Sequence, residues 1–235
     1  MNWPPSTLPS YHSKPSVVYG NGIFVAVAYN SNAAAFSTDG INWQAATLPS
    51  SRFWVSAAYG NEKFVAVIDA SSIAAAYSTD GINWQPSTLP SCQFWESVAY
   101  GDGKFVALSS NASAYSTDGI TWRSTALPSS EFWMSVAYGN GKFVAVALNS
   151  NASAYSPDGI NWQPSLLPSS QGWESVAYGS GMFVAVAHEK TAAAYSTDGI
   201  TWQPSTLPSS QGWRSVTYGN GMFVVVAGDT NAAAY

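Results

Sequence analysis

The chain has 235 residues, of which 46% are hydrophobic and only 9% charged, and its formal net charge is −5 at pH 7. The eight Lys and Arg residues form no basic patch, which argues against nucleic acid or an anionic membrane as partner. Cys92 has no second cysteine to pair with, and His12 and His188 are too far apart for a metal site, so we predict no disulfide, metal or cofactor.

The sequence does not identify a cellular location. No apolar run is long enough to span a membrane, and the N-terminal sequence Met-Asn-Trp-Pro-Pro lacks the pattern of a signal peptide. The low share of charged residues implies a surface of Ser, Thr, Asn, Gln and Gly. Such a surface is compatible with an extracellular or virion-exposed protein.

A repeat of about 40 residues runs through the chain. Tyr-Gly pairs recur at spacings of 40, 41, 38, 40 and 40 residues and begin at Tyr19, Tyr59, Tyr100, Tyr138, Tyr178 and Tyr218. Tryptophans that follow Asn or Thr recur in the same series, at Trp3, Trp43, Trp84, Trp122, Trp162 and Trp202. We number the repeats one to six by their Tyr-Gly pairs and expect a single domain over residues 1–235.

Each repeat predicts four short strands, as residues 95–125 illustrate. The alternating segment WESVAYG is followed by the hairpin signal GDGK and a second strand, KFVAL. A short polar loop leads to a third strand, ASAYS, and the tight turn STDG leads to a fourth, ITWRS. The segment STALPSSEFW then links one repeat to the next, and helical periodicity is absent.

The two ends of the chain resemble complementary parts of one repeat. Trp3 aligns with the fourth-strand Trp43, whereas Tyr235 aligns with Tyr195 at the end of a third strand. We therefore predict an all-β, six-bladed β-propeller with four antiparallel strands per blade, whose last blade consists of about residues 213–235 plus 1–8. The N-terminal strand would close the ring and leave no free edge, so we expect a monomer. A solenoid is the alternative, but its end repeats normally differ as caps.

The string Ser-x-Asp-Gly-x-x-Trp occurs five times, on the turn before a fourth strand. Its Asp can accept backbone N–H bonds within the turn, its Gly allows positive φ, and its Trp can fill the gap between blades. The motif resembles the Asp-box of sialidases and related propellers, whose usual form has one more residue between Asp and Gly. We predict a structural role for Asp39, Asp80, Asp118, Asp158 and Asp198 and for Trp43, Trp84, Trp122, Trp162 and Trp202.

Catalysis is not indicated. The sialidase resemblance would imply three arginines around a substrate carboxylate, but Arg52, Arg123 and Arg214 occupy inequivalent positions in their repeats. A glycosidase needs two facing carboxylates, for which Glu96 and Glu174 are the available candidates. We predict that the protein is not an enzyme and rank a glycoside hydrolase third among the possible functions.

Variation among the repeats falls on the second-to-third loops, on the links and on the residue after the first-strand Trp. These positions share one face of a blade, where recognition loops are usual. Two interpretations of the first-strand tryptophans remain open, core packing between blades or stacking on sugar rings beside Gln171 and Gln211. This second set of tryptophans comprises Trp54, Trp95, Trp133, Trp173 and Trp213.

The preferred prediction is a non-catalytic propeller that binds carbohydrate multivalently on this variable face, in the manner of propeller lectins, which it resembles in architecture. The alternative is a structural or protein-interaction module, such as part of a phage fibre, an adhesin or an assembly factor. A trimmed or engineered repeat array with no ligand belongs to the same alternative. The predicted partners are therefore glycans or a protein.

Overall fold

The computed structural model describes residues 6–9, 16–188, 190–228 and 230–235. All regular structure in this part of the chain is β-strand, in 21 strands, β1 to β21. The chain divides into two compact units. The first consists of the described residues of Met1–Ala107 with Ser116–Ser124, and the second of Leu108–Tyr115 with the described residues of Thr125–Tyr235.

The described strands form five antiparallel sheets. The first sheet, in the order β1-β2-β3-β4, contains Ser16–Gly20, Ile23–Val27, Ser31–Ser37 and Gln44–Arg52. The second, in the order β10-β9-β8-β7-β6-β5, contains Trp54–Gly60 (β5), Lys63–Ser78 (β6), Gln85–Gly101 (β7), Lys104–Ser109 (β8), Ser113–Ser116 (β9) and Arg123–Thr125 (β10).

The other three sheets each follow the order of the chain. The third contains β11 to β14, which are Phe132–Gly139, Lys142–Leu148, Ser150–Ser156 and Gln163–Gln171. The fourth contains β15 to β18, which are Trp173–Gly179, Met182–Ala187, Lys190–Ser196 and Gln203–Gln211. The fifth contains β19 to β21, which are Trp213–Gly219, Met222–Ala227 and Ala233–Ala234.

The prediction of six blades is wrong, because the strands in the described part of the chain form five sheets. The difference arises in β6 and β7, which have 16 and 17 residues and run through segments that the repeat pattern assigns to a loop and a link. Asp69 pairs with Phe94 and Ser72 with Gln93 across these segments, so repeats two and three share one hydrogen-bonded sheet. The predicted N-terminal strand around Trp3 lies outside the described residues, as does His12.

The hairpins between first and second strands are two-residue turns, as the Tyr-Gly-Asn-Gly pattern predicts. Gly20 pairs with Ile23, and the two turn residues, Asn21 and Gly22, have φ values of 49° and 78°. Positive φ at both positions matches the twist of the flanking strands and favours Asn and Gly. The hairpins and the Ser-x-Asp-Gly turns lie at one end of the strands, which we call the turn end. The links and second-to-third loops lie at the other, which we call the link end.

The core is built from the same residues in successive repeats. The Phe of the second strand is fully buried in repeats two to five, at Phe64, Phe105, Phe143 and Phe183. Each of these rings packs on the Tyr of the neighbouring first strand, with ring centroids 4.6 to 4.8 Å apart. Such tilted pairs stabilise the strand pair beyond the area they bury.

Candidate functional site

In all five Ser-x-Asp-Gly turns the aspartate Oδ1 accepts bonds from the serine hydroxyl and from two backbone N–H groups, as the first turn illustrates. Oδ1 of Asp39 accepts hydrogen bonds from the backbone N–H of Ile41 at 2.8 Å and of Asn42 at 2.7 Å. The same oxygen accepts a 2.9 Å bond from Ser37 Oγ, which in turn accepts one from the backbone N–H of Gly40. The carboxylate therefore satisfies backbone donors that the tight turn leaves unpaired.

These bonds also fix the charge of the turn aspartates. Partial burial acts to raise the pKa of Asp198, but the N–H groups of Thr201 and Ile200 and the Ser196 hydroxyl outweigh it and lower the pKa to about 2. The pKa is also lowered at Asp39, Asp80, Asp118 and Asp158. All five are charged hydrogen-bond acceptors at neutral pH, so they are poor general acids.

Two of the tryptophans in this motif bond to their own turn, whereas the buried Nε1 atoms of Trp122, Trp162 and Trp202 have no hydrogen-bond partner among the described residues. Nε1 of Trp43 donates to the carbonyl of Gly40, and Nε1 of Trp84 donates to that of Gly81, both at 3.2 Å. Trp84, Trp122, Trp162 and Trp202 are buried, with 6 to 7% of each residue exposed. They pack in the core at the turn end.

The first-strand tryptophans lie in the core and present no ring face to a ligand. Trp54, Trp95, Trp133, Trp173 and Trp213 are 0 to 1% exposed. In each, Nε1 donates to the carbonyl of a serine four residues earlier, at 3.0 to 3.3 Å. Stacking of a sugar on these rings would require the core to open, so the structure supports the packing interpretation for them.

Gln171 and Gln211, the polar members of the same predicted site, remain partly exposed. Each donates through Nε2 to the hydroxyl of the serine two residues earlier, at 3.4 Å. Gln211 Oε1 also accepts a bond from Thr230 Oγ1 at 3.2 Å. The structure thus separates the predicted glutamines from the predicted tryptophans, because only the glutamines reach solvent.

The variable residue after each first-strand Trp occupies a β-bulge in four repeats. The register shifts between Trp and the following Ser at Val55, Met134, Glu174 and Arg214. A bulge leaves its extra residue outside the ladder and redirects the side chain. Two of these residues interact, since Arg214 Nη1 lies 2.7 Å from Glu174 Oε1. Glu174, one candidate for a hydrolase carboxylate, is thus held in an ion pair.

The residue before the first-strand Trp is a further candidate for binding, which the sequence pattern alone did not indicate. It is phenylalanine in repeats two to four, where Phe53, Phe94 and Phe132 are 37, 50 and 65% exposed, and glycine in repeats five and six. The backbone is alike in both groups, because the carbonyls of Phe53, Gly172 and Gly212 accept bonds at 2.8 to 2.9 Å from the backbone N–H groups of the equivalent residues Asp69, His188 and Gly228. The change from Phe to Gly among the repeats is the sequence feature that could have identified this position.

A surface pocket of about 300 Å³ lies at the turn end of the first unit. Its lining combines Asn21, Tyr59, Glu62, Lys63 and Thr79. Only one carboxylate faces it, whereas glycoside hydrolysis needs two. Within the described residues, no group of three His, Cys, Asp or Glu side chains could hold a metal ion, and no helix is long and apolar enough to cross a membrane.

The sequence matches no protein-family model and no curated protein. Several solved structures resemble it. A streptogramin B lyase structure aligns with a TM-score of 0.83 at 13% identity, over 94% of this chain and 78% of that one. Virginiamycin B lyase from Staphylococcus aureus aligns with a TM-score of 0.80 at 12% identity, over 94% of this chain and 83% of the lyase chain. YCF48 bound to D1 peptide aligns with a TM-score of 0.68 at 15% identity, over 96% and 79%.

These comparisons support the propeller fold predicted from the repeats, but they give no support to the sialidase family, because the structures named above are lyases and YCF48. The lyases are enzymes and YCF48 was solved with a peptide, so the likenesses indicate a fold rather than an activity. At these identities they show that the chain is an all-β propeller.

Proposed function

We propose that the protein is a non-catalytic propeller scaffold whose link end binds an apolar segment of a partner protein. The observation that carries the proposal is the exposure of Phe53, Phe94 and Phe132 at one repeated position. An exposed phenylalanine ring has no polar group and makes no hydrogen bonds to the water around it. Phe53 directly precedes β5, whereas Phe94 and Phe132 lie on β7 and β11, so each of these repeats offers an exposed ring to a partner that covers apolar surface.

The first unit shows how two of these rings are arranged. The Phe53 carbonyl accepts a bond from the backbone N–H of Asp69 at 2.9 Å, and Phe94 is the register partner of the same Asp69. Ile73, also exposed, lies on β6 one residue beyond the Ser72–Gln93 pair. Phe53 and Phe94 therefore flank one backbone segment, and with Ile73 and Asp69 they are the residues of the proposed binding patch.

A protein segment fits this patch better than a sugar does. The tryptophans that would have stacked on sugar rings are buried, and phenylalanine cannot donate or accept the hydrogen bonds that hydroxyls require. Asp69 and the net charge of −5 favour a partner segment that carries a basic residue beside its apolar ones. A propeller of similar fold, YCF48, has been solved with a bound peptide.

The test is selection from a phage-displayed random peptide library on the folded protein. We expect enrichment of apolar peptides with a basic residue, and loss of their binding in the triple variant Phe53→Gly, Phe94→Gly, Phe132→Gly. Glycine is the residue that repeats five and six carry at this position, so the variant should keep its fold. A Phe→Ser triple provides a second loss-of-ring variant. Equal binding of the enriched peptides to both variants and to the parent would overturn the proposal.

Carbohydrate binding is the second candidate, at repeats five and six. There, Gly172 and Gly212 leave the partly exposed amides of Gln171 and Gln211 uncovered beside serine hydroxyls, a polar surface suited to sugar hydroxyls. A glycan array probed with the labelled, tetramerised protein tests it. Signals lost in the double variant Gln171→Ala, Gln211→Ala would favour the lectin, and a blank array would leave the protein segment as the ligand.

A hydrolase would cleave a chromogenic glycoside, which we do not expect. Should turnover be observed and be abolished by Glu96→Gln or Glu174→Gln, the non-catalytic part of the proposal would be wrong. Arg214→Gln is the matched control for Glu174, because it breaks the same ion pair without removing a carboxylate.

A further inference from the structure

Consecutive repeats within each unit join through a tyrosine that lies flat against a glycine. A Cβ built on the glycine would fall 2.0 Å from the tyrosine Cγ, so no larger residue fits. Four junctions have this form: Tyr59 on Gly20, Tyr100 on Gly60, Tyr178 on Gly139 and Tyr218 on Gly179. The glycine is a hole and the tyrosine its knob.

The same junctions share a hydrogen bond. The first-strand serine of one repeat accepts, through Oγ, a bond from a backbone N–H in the first strand of the next repeat, at 3.1 to 3.3 Å. The pairs are Ala57 to Ser16, Val98 to Ser56, Val176 to Ser135 and Val216 to Ser175. Each junction therefore has a donor face, which carries the knob, and an acceptor face, which carries the hole.

Second-strand valines complete the acceptor face. In the first unit, Val25 and Val27 belong to one core cluster with Trp54 and Phe64 of the next repeat. In the second unit, Val144 and Val146 belong to one with Trp173 and Phe183. These valines are 0 to 1% exposed, because the next repeat covers them.

The first described sheet has a donor face that no described residue covers, which we call the Tyr19 face. Tyr19 is 59% exposed and Val17, on the same side of β1, is 54% exposed. The equivalents of Val17 inside the junctions, Val98, Val176 and Val216, are 5 to 6% exposed.

The last described sheet has an acceptor face that no described residue covers, which we call the Gly219 face. No described residue lies within 4 Å of a Cβ built on Gly219. Val226 is 43% exposed, whereas its equivalents in the other repeats are 0 to 1% exposed: Val27, Val67, Leu108, Val146 and Val186. Ser215 is exposed and is the register partner of Val226, so its hydroxyl is on this face too.

We propose that a second copy of this chain covers these faces, with the Tyr19 face of one copy on the Gly219 face of another. The Tyr19 ring would lie on Gly219, the Val17 N–H would donate to Ser215 Oγ, and Val226 would be buried as its equivalents are. A generic apolar partner would match the exposed valines but not the hole and the serine acceptor. The contact is heterologous, so it leaves one free face at each end of a dimer and allows rings or longer chains. This differs from the monomer expected from the sequence.

Sedimentation velocity over a concentration series up to about 1 mM is the first measurement. We expect species larger than a monomer that grow with concentration. Val17→Ser with Tyr19→Ser removes the knob, and Gly219→Val fills the hole, so each should weaken association about tenfold or more. Thermal melting checks that each variant is folded, which we expect because the substituted residues are exposed. Ile200→Ser, which removes an exposed apolar side chain from a turn of the second unit, is the control and should associate normally.

Mixing the two variants makes the test specific to the paired faces. The double serine variant keeps a Gly219 face and the valine variant keeps a Tyr19 face, so their mixture should form a dimer that grows no further. A wild-type protein that stays monomeric throughout the series would overturn the proposal. So would variants that associate like the wild type, or a mixture that remains monomeric beside an associating wild type.

Discussion

The turn end and the link end of the strands differ in how much their side chains are constrained. At the turn end, the same serine, aspartate and glycine recur, and the serine hydroxyl bonds to the aspartate in every described Ser-x-Asp-Gly turn. At the link end, the bulge residue changes in charge and size, and the residue before the Trp is an exposed phenylalanine in repeats two to four and a glycine in repeats five and six. The difference separates residues that hold the scaffold from residues that vary, to which we have assigned the proposed partner binding.

Substitution of a junction glycine near the turn end should cause the largest loss of stability. Gly139→Ala places a Cβ about 2 Å from the Tyr178 ring, which must move or lose its contact, so we expect a loss of about 3 kcal/mol or more in unfolding free energy. Gly219→Ala is the matched control, because the same methyl group meets no described residue within 4 Å. Urea denaturation measures both. Similar losses in the two variants would contradict the junction geometry.

Acidification should cause the second-largest loss of stability, because several turn aspartates are protonated together. The folded pKa of Asp198, about 2, is below its ordinary value of 3.8, so its contribution is complete above pH 4 and is lost as the pH falls toward 2. The other four turn aspartates shift in the same direction. We expect the melting temperature to decline through this window.

The matched control for the acid prediction is Asp198→Asn. The variant keeps a carbonyl acceptor but cannot titrate, so its melting temperature should be lower at pH 7 and fall less between pH 4 and pH 2. A pH profile identical to that of the wild type would show that Asp198 does not contribute to the acid sensitivity.

Much of the turn end could be predicted from the sequence, because its chemistry is local. The Asn-Gly hairpin and the Ser-x-Asp-Gly turn each depend on residues within four positions, and the structure has both where the pattern places them. The register of first and second strands follows from the hairpin, as the pairing of Gly20 with Ile23 shows.

The link end could not be predicted in the same way, because its structure depends on contacts between distant segments. The pairing of Asp69 with Phe94 converts a predicted loop and link into strand and merges two repeats into one sheet. The burial of Trp95 and the exposure of its neighbour Phe94 also depend on packing between repeats rather than on local pattern. The sequence alone therefore left two interpretations of the tryptophans and missed the phenylalanines.

Substitution at the link end should change binding far more than stability. Phe94 is half exposed, so Phe94→Gly should lower the unfolding free energy by no more than about 1 kcal/mol while weakening binding of the selected apolar peptides. The reverse change, Gly172→Phe, is sterically open, because a Cβ there would lie at ordinary contact distances from Leu148 Cδ1 (3.5 Å), Asn149 Oδ1 (3.8 Å) and the His188 carbonyl (3.8 Å). We expect it to strengthen peptide binding. A loss of stability in Phe94→Gly comparable to that of Gly139→Ala would remove the distinction between the two ends.

The smallest predicted effect concerns the one hairpin at the turn end that departs from the pattern. The second turn position is glycine in the other five hairpins but Glu62 in repeat two, where φ is 58°. A residue with a Cβ is strained in this region, so Glu62→Gly should raise the unfolding free energy by about 0.5 kcal/mol. The reciprocal Gly103→Glu should lower it, because Gly103 has a φ of 72° and no other residue near its Cβ position. Opposite signs in the two variants would show that the strain belongs to the backbone, and equal signs would point instead to the surroundings of the Glu62 side chain in the pocket that Lys63 and Tyr59 also line.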